Sequence, residues 1–200
     1  MDALENYCSE TIVLKKIISL YNSQRTLYGC NSEEFATGYG DRIFMDYILG
    51  NNTFSQIVEF GTHQGVTTLH LGMSAKVLNI PLHTYDITDI RPPKIINAWL
   101  DNMIFHEENI LTLNQNVIEI ISKPNTFIFM DNGNKIKEFN QYMPYIGKDS
   151  VIIVHDWGQE VHEEDIMETV YEFKLIEYLP ELSNTLGNNC KAWKKYINAD

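Results

Sequence analysis

Four short apolar runs in this chain each end in an acid, and that pattern limits the fold more than any other feature. Gln56-Ile57-Val58-Glu59-Phe60 carries Glu59 at its end and stops at Gly61. Leu82-His83-Thr84-Tyr85 ends in Asp86. Thr126-Phe127-Ile128-Phe129-Met130 runs into Asp131, and Ser150-Val151-Ile152-Ile153-Val154 runs into His155-Asp156. Nearly unbroken apolar runs of this length suit strands buried on both faces. Met103 to His106 reads as a further, weaker strand. Between the runs, residues 67–77, 111–122, 135–145 and 163–173 read as helices. Strands that alternate with helices predict a parallel sheet covered on both faces. Residues 174–179 and 191–197 read as a final hairpin, joined through Asn184-Thr185-Leu186-Gly187-Asn188-Asn189, which sets one antiparallel strand at the edge.

The expected architecture is therefore α/β: a Rossmann-like, doubly wound, mostly parallel seven-stranded sheet with an antiparallel edge strand. At 200 residues the chain fits a single domain. Residues 1–50 read as an N-terminal helical cap, with an amphipathic helix from Glu10 to Tyr21. After a polar loop comes a second helix, capped by Asp41 and stopped at Gly50-Asn51-Asn52. Residues 55–200 form the core.

The net charge of −12 comes from 27 acids against 15 lysines and arginines, a balance that repels polyphosphate and argues against a nucleic-acid partner. No apolar run is long enough to span a bilayer, and the acidic start lacks the order of a signal peptide, so no membrane partner is expected. Cys8, Cys30 and Cys190 are odd in number and far apart, which speaks against a disulfide framework and for a reducing, cytoplasmic setting. Nothing in the pattern identifies the oligomeric state; a homo-oligomer or a place in a larger multidomain enzyme both stay open.

In a doubly wound sheet, ligands bind beyond the carboxyl ends of the strands at the switch point. Four strands end in polar chemistry at that edge. The loop Glu59-Phe60-Gly61-Thr62-His63-Gln64-Gly65-Val66-Thr67 joins a buried strand to a helix whose first N–H groups are free. Gly61 permits a sharp turn, and Gly65 permits close approach to the main chain. The spacing is E-x-G-x-x-x-G and not the GxGxxG of a dinucleotide site. Asp86, closing the next strand, suits a bidentate acceptor for two ribose hydroxyls. An NAD-linked oxidoreductase shares that acid but calls for the other loop.

This loop resembles the first motif of class I S-adenosylmethionine-dependent methyltransferases. Its E-x-G-T-x-x-G form is similar to that of the small-molecule O-methyltransferases grouped with macrocin O-methyltransferase and the cephalosporin hydroxylase-like proteins. Phe127 to Gly133 resembles their fourth strand, and Tyr142 to Trp157 resembles their Y-x-P segment and fifth strand. Gly38-Tyr39-Gly40-Asp41 stands where they place a short lid. The resemblance spans about Gly38 to Trp157 and the final hairpin. It implies methyl transfer to a hydroxyl of a small acceptor, a sugar or glycan unit foremost. It further implies that Glu59, Gly61, Thr62, His63, Gly65, Val66, Thr67, Asp86, Asn109 and Asp131 surround S-adenosylmethionine, which leaves as S-adenosylhomocysteine. Many members also use Mg2+, held here by Asp131 and Asp156. His155 departs from the family's acid pair, and the second Asp of its D-G-D is replaced by Gly133.

Methyl transfer needs alignment and removal of the acceptor's proton. Asp131, His155 and Asp156 form the candidate catalytic cluster. His155 titrates near neutrality and is a candidate base, or a structural histidine. Lys135 is a base if burial lowers its pKa, or else a solvated surface lysine. Trp157 packs on a ligand or in the core. A non-catalytic module that keeps the fold for binding or scaffolding is the remaining alternative.

Overall fold

The computed structural model describes residues 39–196. The helix expected at residues 10–21, the loop before Tyr39, Cys8 and Cys30 lie outside the described residues. Helix α1 is Tyr39–Asn51, followed by β1 Gln56–Phe60, α2 Val66–Leu78, β2 Leu82–Asp86, α3 Pro93–Asn97 and β3 Met103–Glu107. Then come α4 Gln115–Ile121, β4 Thr126–Met130, α5 Lys135–Tyr142, a 3-10 turn at Met143–Tyr145 and β5 Val151–Val154. The chain closes with α6 Glu163–Glu172, β6 Leu175–Glu177, α7 Pro180–Leu186 and β7 Lys191–Lys195.

The strands form one seven-stranded sheet in the order β3-β2-β1-β4-β5-β7-β6. β1 pairs in parallel with β2 and β4, β2 with β3, and β4 with β5. The predicted antiparallel hairpin lies at the far edge. Its second strand, β7, is inserted between β5 and β6 and runs against both, so β6 is outermost. The connection is richer than the expected turn: Pro180 starts helix α7, because proline fits the first helical turn, where its missing N–H costs nothing.

The central strands explain their own sequences. β1, β4 and β5 are buried along their whole length. Successive side chains alternate between two separate cores. Ile57, Phe127, Phe129, Val151 and Ile153 pack with Phe44, Ile48 and Leu69 on one face. Val58, Phe60, Ile128, Met130, Ile152 and Val154 pack with Phe139 and Tyr142 on the other. A strand buried on both sides has no polar phase to show, which is why these runs are continuous rather than alternating.

Helix α3 was not expected: Pro92-Pro93 and the exposed Ile96 give no periodic signal, although Pro93 sits at the helix start and Ile95 is buried. Asp41 is a second departure. It lies within the first turn of α1 and does not cap it. Its side chain is buried and accepts the Asn189 backbone N–H at 2.8 Å, tying α1 to the start of β7.

Candidate active site

The sheet order reverses between β1 and β4, the switch point where an α/β sheet opens a crevice. Gly61 bridges it. Its N–H donates to Tyr85 O of β2 at 2.9 Å, while Asp131 N–H donates to Phe60 O at 2.8 Å. Gly61 adopts φ +99°, and a Cβ there would lie 2.5 Å from the Asp131 carbonyl oxygen, so only glycine lets the loop pass. Gly65 adopts φ +79° directly before α2, but its missing side chain makes room for Ile95 and Arg91 from the segment after β2. The expected close approach is therefore made by protein, because the chain after β2 folds back over the loop.

The loop is drawn into shape by two acids. Asp86 is half-buried; one oxygen accepts the His63 N–H at 2.7 Å and the other the Ile87 N–H at 2.7 Å. Two backbone donors use half the acceptor capacity of a carboxylate, which leaves lone pairs for two hydroxyls. Glu59 is fully buried. Its Oε2 accepts from Thr84 Oγ1 at 2.6 Å, and Thr84 Oγ1 pairs with Thr62 Oγ1 at 2.6 Å. Burial pushes the Glu59 carboxyl up to about 8, against the hydroxyls of Thr68 and Thr84 and with the charges of Asp131 and Asp86. Thr62 and Thr67 are buried, Val66 is half-buried, and His63 is exposed at φ 45°. Helix α2 begins at Val66, directly after this loop.

Beyond β3, Asn109 is exposed, with its side chain accepting the Leu111 N–H at 3.0 Å. Two apolar or cationic features there carry no sequence signal. Ile87, next to Asp86, is 62% exposed, an apolar surface beside the ribose-type acid. The Arg91 guanidinium lies between the rings of Trp99 and Phe105, 4.1 Å from each centroid, and pairs with Asp89.

On the other side of the switch point, the ends of β4 and β5 bring the predicted cluster together. His155 Nδ1 lies 3.0 Å from Asp131 Oδ1 and 3.2 Å from Asp156 Oδ1, and Nε2 lies 3.6 Å from Asp41 Oδ2. Burial opposes charge on this ring, but hydrogen bonds to Asp131 and Asp41 and the charge of Asp156 outweigh it and raise His155 to about 10. A pKa so raised favours the imidazolium at neutral pH, the form that donates rather than accepts a proton.

Lys135 also departs from both sequence readings. It is 5% exposed, and its ammonium lies 2.7 Å from Glu160, 2.9 Å from Asp156 and 3.5 Å from Asp131. Burial works against that charge; the hydrogen bonds to Glu160 and Asp156 and the charge of Asp131 more than offset it and hold the pKa above the ordinary lysine value. Asp156 adopts φ 57°, a left-handed conformation that aspartate tolerates better than most residues. Trp157 follows with its ring 4.6 Å from the Lys191 ammonium and 5.2 Å from Trp193. It borders a cavity of about 350 Å³, lined also by Glu163, Met167, Lys174 and Glu177.

The ligating atoms of Asp131, His155 and Asp156 lie within 4.8 Å of one another, a spacing a cation can bridge. Mg2+ requires oxygen donors in a near-octahedral shell. Here the Lys135 ammonium already stands against the facing carboxylate oxygens, and the third ligating residue is an imidazole, which Mg2+ does not favour. The arrangement does not fit Mg2+. The switch-point crevice, by contrast, fits S-adenosylmethionine: a tight glycine turn, the start of a helix and an acid with unused acceptors on one edge.

No family model matches the sequence, and no curated protein matches it. Solved structures do match by shape. The plantazolicin methyltransferase BpumL in complex with SAH is 16% identical, with a TM-score of 0.53 over 97% of this chain and 94% of that one. A SAM-dependent O-methyltransferase from Thermotoga maritima is 10% identical, TM-score 0.54, over 82% and 67%. A mutant of MtNAS is 15% identical, TM-score 0.56, over 98% of this chain and 76% of that chain. No helix among the described residues is long and apolar enough to cross a membrane. The chain is thus built on the Rossmann-like fold seen in solved S-adenosylmethionine-dependent methyltransferases.

Proposed function

We propose that this chain transfers a methyl group from S-adenosylmethionine to a hydroxyl of a small acceptor, a sugar or glycan unit. The observation that carries the reading is the Asp86 carboxylate, which binds the glycine loop through His63 N–H and keeps acceptor capacity at the switch point. Bound there, S-adenosylmethionine supplies a methyl carbon on a sulfonium. Asp86 would accept the ribose hydroxyls, and Ile87 would pack against the adenine. Asn109 would border the adenine's far edge. The backbone from Gly61 to Thr67 would receive the amino-acid end.

The acceptor hydroxyl sits over the ends of β4 and β5. Its proton would pass to Asp131, whose contacts with Lys135 and His155 fall on Oδ1 alone, whereas both oxygens of Asp156 face those two groups; S-adenosylmethionine would supply the methyl group and take back the carbon–sulfur electron pair. A fold alone does not decide the reaction, so the reading rests on these residues.

Calorimetric titration with S-adenosylmethionine tests the proposal. Saturable binding is expected, weakened about tenfold or more by Asp86→Ala, in keeping with loss of charged hydrogen bonds. Folded protein that binds no S-adenosylmethionine sinks the reading, and NAD is the next ligand to titrate.

A further inference from the structure

The carboxylates at the ends of β4 and β5 surround a charge that belongs to the chain. Lys135 is the first residue of α5, where the helix dipole disfavours a cation. It is nonetheless buried there, and burial of an ammonium is unfavourable unless each proton finds an acceptor. Three carboxylates supply them: Glu160 at 2.7 Å, Asp156 at 2.9 Å and Asp131 at 3.5 Å. The His155 ring packs on the same two strand-end acids, Nδ1 lying 3.0 Å from Asp131 and 3.2 Å from Asp156. Both oxygens of Asp156 are thereby engaged, Oδ2 by Lys135 and Oδ1 by His155. A divalent ion that bridged Asp131 and Asp156 would have to displace the ammonium.

We propose that Lys135 is this site's resident cation: it stands where a divalent metal would bridge Asp131 and Asp156, and the site works without one. The inference rests on the reading of the strand ends as the reacting edge. Lys135 is a positioning residue. Its ammonium is spent on carboxylates, so it holds Asp131 and Asp156 apart and oriented and does not itself touch the acceptor. Glu160 closes the arrangement from the loop after β5, its side chain 59% exposed.

The test is direct binding of Mn2+, followed by electron paramagnetic resonance, to wild-type protein and to Lys135→Met, which keeps an apolar stem and removes the charge. Wild type is expected to show no saturable site. Folded Lys135→Met is expected to gain one, about tenfold or more tighter than any wild-type binding, since an unneutralised carboxylate pair attracts a dication. Adding Asp131→Asn should remove the gained site, and Lys135→Arg should not create it. A saturable wild-type site that Mg2+ competes for and Asp131→Asn abolishes overturns the proposal, as does a folded Lys135→Met with no gain. If Lys135→Met fails to fold, the wild-type titration still decides. Titration with S-adenosylmethionine, which does not depend on Lys135, separates failure of this inference from failure of the methyl-transfer reading.

Discussion

Glu59 ties loop chemistry to stability, and Glu59→Gln measures the link. In the folded chain its carboxyl is fully buried and raised from 4.5 to about 8. The unfolded chain therefore releases this proton near pH 4.5 while the folded chain keeps it to about pH 8. An acid raised on folding contributes most below its unfolded pKa, and stability falls as pH climbs between the two values. The slope is about 1.4 kcal/mol per pH unit, so the loss attributable to Glu59 is about 3 kcal/mol at pH 7. Glutamine mimics the protonated acid and cannot ionise. Urea unfolding of wild type and Glu59→Gln, followed by circular dichroism, should show the variant gaining about 4 kcal/mol relative to wild type between about pH 5 and about pH 9. Against a typical domain stability of about 5–15 kcal/mol, a change of that size is easily read. A difference between the two proteins that stays flat with pH refutes the reasoning, because Glu59 would then be ionised in the folded state and served by a partner or by solvent.

His155 has the same direction of shift and the opposite chemistry. Raised from 6.5 to about 10, it stabilises the fold fully below 6.5, and that contribution is lost as pH rises through about 10. His155→Gln should cost more stability at about pH 6 than at about pH 10, and ring nitrogen shifts should report an imidazolium at neutrality. Gly61→Ala forces a Cβ against the Asp131 carbonyl at positive φ, so it should cost at least about 1–2 kcal/mol and weaken S-adenosylmethionine binding. Gly133→Ala, which meets nothing within 4 Å, is its control in thermal melts.

The sheet was legible because its strands are buried on both faces and its helices lie between them: Phe127 to Met130 and Val151 to Val154 leave no other reading. The edge of polar strand ends was legible for the same reason, since burial stops where the apolar run stops. What could not be read was who pairs with whom. Lys135 looks solvated in sequence, and only the convergence of Asp131, Asp156 and Glu160 makes its burial tolerable. Asp41 looks like a helix cap because the residues it meets, Asn189 and His155, are far along the chain. The motif gives the position of Glu59 but not its depth, which only the packed sheet supplies. Helix α3 and the Arg91 sandwich follow from a fold-back over Gly65 that leaves no periodic trace.

The place of β7 gives the far edge a mechanical character. β6 reaches the sheet only through β7, and β7 is the neighbour that covers β5. β7 therefore cannot leave β5 without carrying β6 with it, and edge elements open more readily than central strands. When they do, the backbone of Val151–Val154 becomes a bare parallel edge, all four residues of it apolar. An uncovered apolar edge is a template for another chain. Transient fraying at this end, rather than loss of the central core, is the route by which the protein would aggregate.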